Sequence, residues 1–124
     1  MNPTLTKTYT AGAALSGKRI VKFSADGEVS QAAAATDLLV GVADGFGAEG
    51  ADTSYSTGDR VDVHRAGLVE VRYGGTLARG KPVTSDANGK AVEATVAGSK
   101  AIGIAEVSGV AGDIGTILIA PHQI

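Results

Sequence analysis

Apolar residues in this chain alternate with polar ones far more often than they recur at helical spacing. Val61 and Val63, then Val69 and Val71, are separated by polar residues, and Ile20, Val21 and Phe23 run up to a turn. Such a period of two belongs to half-buried strands, whose successive side chains point to opposite faces. The pairs Asp26-Gly27, Gly74-Gly75 and Asn88-Gly89 punctuate the chain at strand-like intervals. Asn-Gly and Asp-Gly suit tight hairpins because those turns require positive φ. The first residues, "MNPTLTKTYTAG", place Thr at 4, 6, 8 and 10 with Leu5, Lys7 and Tyr9 between them. This is a strand pattern of high β propensity standing ahead of everything else.

The pattern is also written twice. Gly41 in "LLVGVADG" and Gly103 in "KAIGIAEVSG" lie 62 residues apart, and each has a turn glycine 14 residues before it, Gly27 and Gly89. Further upstream "LSGKRIVKF" faces "LARGKPVTS", with a one-residue difference in length before the next turn. Downstream, Gly58-Asp59 answers Gly112-Asp113, and the first unit carries eight more residues between its Gly-Val-Ala and its Gly-Asp. The chain therefore reads as one β-rich unit used twice, about 12–73 and 74–124, preceded by an extended arm over 1–11. "SQAAAATDLL" has an alanine run compatible with a helical turn or two. Its place in the second unit is taken by "EATVAGSK", poor helix material, so a short helix or a loop near 31–39 is expected.

At 124 residues the chain fits a single small domain. Three Tyr, two Phe and no Trp leave Val, Ile, Leu and Ala to build the core, so its layers must be thin and closely packed. The expected fold is all-β: a compact barrel or sandwich of about ten short strands. No apolar run approaches the roughly 20 residues of a membrane helix. The N-terminus lacks the charged-then-apolar order of a signal peptide. With no cysteine there is no disulfide framework or thiolate metal site. A net charge of −2 gives no general attraction to nucleic acid. Residues 1–25 carry Lys7, Lys18, Arg19 and Lys22 without an acid, and residues 26–57 carry six acids without a base. The basic start is thus placed to meet the acidic stretch, in the same subunit or the next.

Candidate chemistry is sparse. His64 and His122 fall in different units, and no spacing supplies the further ligands a metal site needs. His64 alternates with inward valines and is expected on the surface. Asp59, Asp62 and Glu70 offer carboxylates, but no pocket or shifted pKa is visible to make them acids or bases. Gly45, Gly47 and Gly50 match the spacing Gly-x-Gly-x-x-Gly, yet "AEGADTSYSTGD" follows where a dinucleotide site opens a helix. Lys90 follows a turn but lacks the flanking pattern of a carrier lysine. No catalytic residue, cofactor site or metal site is expected.

The order "SGKRIVKF…DGEV…LLVGVADG…GDRVDVHRAGLVEV…GGTLARGKPVTSDANGKAV…AIGIAEVSGVAGDIGTILI" resembles the tailed-phage capsid decoration, or cement, proteins over about residues 12–120. The resemblance implies a small β-barrel or β-tulip domain, with no enzymatic activity, bound as a homotrimer to the outside of the head. It implies the major capsid protein as partner, the virion surface as location, and neither nucleic acid nor membrane as target. On this reading the arm supplies the contact, through Thr4, Leu5, Thr6, Lys7, Thr8 and Tyr9. Two other classes fit the same residues. One is a binding module for a surface sugar or receptor, using the 44–57 loop with Phe46 and Tyr55. The other is a small enzyme or carrier domain of the barrel-sandwich type.

Overall fold

A computed structural model describes residues 2–45 and 54–124, with side chains from Leu5 onward in the first strand. It is all-β, and no helix occurs among the described residues. The strands are β1 (Asn2–Ala11), β2 (Leu15–Ser16), β3 (Ile20–Ala25), β4 (Glu28–Gln31), β5 (Leu39–Ala43) and β6 (Ser54–Tyr55). They continue as β7 (Arg60–Arg72), β8 (Pro82–Ser85), β9 (Ala91–Glu93), β10 (Lys100–Ala105) and β11 (Ile114–Gln123).

Five of these strands close a barrel in the order β1-β4-β3-β5-β7, and β7 returns to pair with β1. All the pairings are antiparallel except β1 with β4, which is parallel at Thr10↔Glu28 and Ala11↔Val29. Alternation decides what fills it. Tyr9, Ala11, Val21, Val29, Val40, Val61 and Val63 point inward and form one buried cluster with Leu15 and Ala43. The remaining strands extend this barrel in the order β7-β11-β10-β8-β9. A parallel bridge, Tyr73↔Ala91, brings β9 back to the end of β7 and outlines a second ring.

The hydrogen bonding of the two rings recurs with an offset of 62 residues. Val21↔Gly41 and Val21↔Gln31 recur as Val83↔Gly103 and Val83↔Glu93. The bonds Lys18 N–H to Ala43 O and Ala43 N–H to Arg19 O recur as Gly80 to Ala105 and Ala105 to Lys81. No difference in length intervenes between these positions. Lys18 takes the left-handed conformation (φ 56°) that Gly80 takes at φ 89°. The glycine of the written motif is thus displaced by one residue while the backbone is not. After the eight extra residues the offset is 54, as Val42↔His64 against Ile104↔Leu118 demonstrates.

This answers why Gly-Val-Ala and Gly-Ile-Ala are both present. A Cβ at Gly41 would meet the carbonyl oxygen of His64, and one at Gly103 the carbonyl oxygen of Leu118. Both would lie well inside the 3.0 Å that real Cβ atoms keep. The neighbouring strand's backbone occupies the space, so no side chain fits. Core volume is redistributed between the rings. Tyr9, Ala11 and Val61 of the first correspond to Val71, Tyr73 and Gly115 of the second. Gly115 is needed because the Tyr73 ring fills the place of its missing side chain.

Residues 2–11 are not a free arm. They run as β1, antiparallel to β7 from Asn2↔Leu68 to Thr10↔Arg60 with irregularities near Leu5. Tyr9↔Val61 and Lys7↔Val63 recur as Val71↔Gly115 and Val69↔Ile117, so β1 has its counterpart in the second half of β7. The buried Tyr9 ring and the unsatisfied edge of β7 draw the segment into its own barrel. The alanine run near 31–39 is a turn, in which Asp37 Oδ2 accepts the N–H groups of Ala33 (2.8 Å) and Ala34 (3.0 Å). Asp37 competes with a helix for those donors.

Candidate functional site

The face predicted for contact lies on β1. Leu5, Thr6, Lys7 and Thr8 are exposed, while Tyr9 is buried; Thr4 lies in β1, with its side chain outside the described residues. One edge of β1 is bonded to β7 along its length. Its other edge meets β4 only at Thr10 and Ala11, leaving the stretch before them without a strand partner among the described residues.

Side chains of β7 and its neighbours hold this face. The Thr8 hydroxyl donates to Asp62 Oδ1 at 2.6 Å. His64 lies between Thr6 Oγ1 (3.0 Å to Nδ1) and Asp44 Oδ1 (3.1 Å to Nε2). A carboxylate only accepts, so Nε2 donates to Asp44. His64 is therefore a part-buried tie between β1, β5 and β7, not the freely exposed residue that alternation suggested. No sequence signal linked Thr6 with His64; only the β1–β7 register brings them together.

Tyr9 anchors a second cluster. Arg65 Nη1 donates to its hydroxyl at 2.8 Å, and Phe23 packs edge-on at 6.0 Å between centroids. The Lys7 ammonium lies 5.3 Å from the Tyr9 ring centre, and the Arg65 guanidinium 5.7 Å from that of Phe23. Contacts of this kind favour cations beside an aromatic face, and sequence inspection missed this arrangement.

The other candidates do not converge on chemistry. Asp59 Oδ2 accepts the Ser56 N–H, as Asp113 Oδ2 accepts that of Val110, so both acids cap turns. Glu70 pairs with Lys18 at 3.4 Å. Lys22 pairs with Asp37 at 3.5 Å, one meeting of the basic start with the acidic stretch. His122 is exposed, with Nδ1 2.7 Å from Ala120 O. Lys90 follows the turn built on Asp86, whose Oδ1 accepts its N–H. Of the 44–57 loop, Phe46, Gly47 and Gly50 lie outside the described residues. Tyr55 donates to Asp44 O at 2.8 Å, and its hydroxyl pKa is raised by burial and by Asp44 and Asp62. No group of three metal-ligating side chains occurs among the described residues. A groove of about 220 Å³ is lined by Lys18, Asp44, His64 and Glu70, and a wider one of about 430 Å³ by Phe23, Ser24, Ala25, Asp26 and Gly27.

What the molecule offers is a braced β surface, with no reaction centre assembled among the described residues. The profile of the phage cement protein family matches residues 1–120. The chain belongs to that family. It is a structural, non-enzymatic decoration protein of the phage head, located on the virion surface. The head fiber gp8.5 N base of bacteriophage phi29 shares its fold, with TM-score 0.69 and 21% identity over 97% of both chains. No curated protein matches the chain. In this cement protein the sequence resemblance and the β-barrel agree.

Proposed function

We propose that this cement protein binds the outer head surface across joints between major capsid protein subunits, as a homotrimer, through the exposed part of β1. One observation carries the reading. Leu5, Thr6, Lys7 and Thr8 are exposed on a strand whose backbone is paired with β7 and whose other edge, before Thr10, has no strand partner among the described residues. An open edge can accept a strand from another chain, with Leu5 as apolar contact and Lys7 favouring an acidic surface. Thr4 and the buried Tyr9 contribute through the strand they belong to, with Tyr9 fixing its position. The two rings act as two similar units of one body in this reading. Three such bodies linked together hold at high effective concentration where one would dissociate, and cyclic symmetry matches local symmetry in a shell.

The test is binding of the full chain carrying Leu5→Asp and Lys7→Glu to expanded empty heads. Neither side chain is buried, so folding is retained. Head binding should weaken at least tenfold, about 1.4 kcal/mol. The parent should raise the temperature at which heads rupture, because a ligand of the intact shell stabilises it by mass action. Unchanged binding of the variant removes β1 as the contact, and heads equally heat-resistant with and without parent protein reject a stabilising role.

A further inference from the structure

The two rings meet end to wall. The wall is the outer face of the first ring, where Ile20, Ala32 and Val42 are fully buried and join the core cluster of the second ring beside Val69 and Ile119. Backbone bonds clamp the junction: Ile20 N–H to Gly89 O at 2.7 Å, Arg72 N–H to Lys18 O at 2.9 Å and Lys100 N–H to Ala35 O at 2.7 Å. Because the rings repeat, each surface of this junction has an equivalent elsewhere on the molecule, and each equivalent carries exposed apolar side chains.

The equivalent wall, on the second ring, is a row across three strands. Pro82 pairs with Ile104, Ile104 with Leu118, and Ala94 donates its N–H to Pro82 O. Leu118 is 38% exposed and nearby Val96, the counterpart of Ala34 beside the junction, is 68% exposed. The equivalent end, on the first ring, carries Phe23, Leu38 and Arg65 in place of Ser85, Lys100 and Ile119. Phe23 is 47% and Leu38 65% exposed. Isolated exposed hydrophobics need no explanation, but here they gather on the two surfaces that copy an existing junction.

We propose that these two surfaces bind each other between molecules, so that the first-ring end of one chain docks on the second-ring wall of another copy in head-to-tail order. Phe23 and Leu38 meet the Pro82–Ile104–Leu118 row. Arg65 faces the wall flanked by Glu93 and Glu106, the residues beside Ala94 and after β10. This contact is weaker than the internal junction. Pro82 has no N–H to donate where Ile20 donates to Gly89, and Gly27 O already accepts from Thr10 N at 2.9 Å. Its association is therefore reversible by dilution. A heterologous contact of this kind builds a ring when its rotation closes, so it supplies the faces for the self-association proposed above and rests on that reading.

The experiment uses two full-length variants with one surface disabled in each: Phe23→Asp at the end and Leu118→Lys on the wall. The parent should assemble beyond two chains in sedimentation velocity as concentration rises. Each variant alone should remain a single chain where the parent assembles, at least a tenfold loss of association. An equimolar mixture should form a species of two chains and nothing larger, because only one intact junction remains. A parent that stays a single chain, a variant that assembles like the parent, or a mixture that stays monomeric overturns the proposal. Melting curves establish folding, and Leu38→Asp with Val96→Lys gives a second pair for the same pattern. Head binding is scored separately with Leu5→Asp alone, which leaves the Tyr9–Phe23–Arg65 cluster in place: its loss with parent-like assembly separates the capsid contact from this interface.

Discussion

Gly103→Ala is the sharpest single perturbation of this fold, because it adds one carbon where none fits. The new Cβ would meet the Leu118 carbonyl oxygen and carbon on the paired strand β11. That neighbour is backbone and has no rotamer by which to withdraw. Making room requires β10 and β11 to separate by about an ångström, and such overpacking costs about 1–3 kcal/mol. Separation also strains the ladder at Gly103↔Ile119 and Ile104↔Leu118, where each weakened bond costs about 1 kcal/mol. A loss of about 3–5 kcal/mol follows, a large share of the roughly 5–15 kcal/mol that holds a domain together. For a chain of this size it lowers the melting midpoint by about 10 °C or more. Gly41→Ala should behave alike, since it meets His64 O in the equivalent place, whereas Gly58→Ala meets nothing within 4 Å and is opposed only by its φ of 92°. Thermal melting by circular dichroism measures all three. A Gly103→Ala protein melting within about 2 °C of the parent, or less affected than Gly58→Ala, refutes the close-approach argument.

Three further outcomes follow from the same contacts. Deleting residues 2–10 should abolish the cooperative melt, because it removes the buried Tyr9 and the β1–β7 ladder; loss of a buried aromatic alone costs about 3–5 kcal/mol. Acid should remove a contribution from Asp37. Burial raises its pKa, but the Ala33 and Ala34 N–H groups and Lys22 outweigh this and hold it below the ordinary aspartate value of 3.8. Its contribution is then present above pH 3.8 and lost as pH falls below, which an Asp37→Asn variant should not show in acid melts. Alkali should act through Tyr73, whose pKa is raised above 10.0 by burial and by Asp113. Its stabilisation is full below pH 10 and declines as pH rises beyond it, seen as delayed phenolate absorbance in the native protein relative to the unfolded chain.

What the sequence made legible was whatever local backbone geometry demands. Gly27 and Gly89 were readable as turns because both hold positive φ, and Gly41 and Gly103 because a close approach admits no other residue. The eight-residue excess was countable for the same reason. Less legible was anything set by pairing across long separations. β1 shares only a period of two with the second half of β7: Lys7 and Tyr9 stand where Val69 and Val71 stand, so no residue identity betrays the equivalence. Lys18 in a left-handed conformation concealed the register, since that position is glycine in the second ring. The contact face was partly legible. Alternation placed Leu5, Lys7 and Tyr9 on one side of a strand, but the buried environment of Tyr9 and the ties from Thr6 and Thr8 depend on β7, more than 50 positions along the chain.

The position of β7 relates this architecture to a decoration role without chemistry. Its 13 residues pair with β1 and β5 in the first ring and with β11 in the second. The main chain therefore passes through the junction inside a hydrogen-bonded strand, instead of crossing it on a linker. The clamps at Ile20–Gly89, Lys18–Arg72 and Ala35–Lys100 then oppose rotation about that strand from different positions. A pair of domains on a flexible tether would yield when the shell beneath it spread, and each contact would act separately. Two rings sharing a strand cannot yield in this way without breaking main-chain bonds. With the capsid contact proposed at β1, load applied there would pass along β7 to the second ring, and the proposed contacts at both ends of the molecule would act together, as multivalent attachment requires.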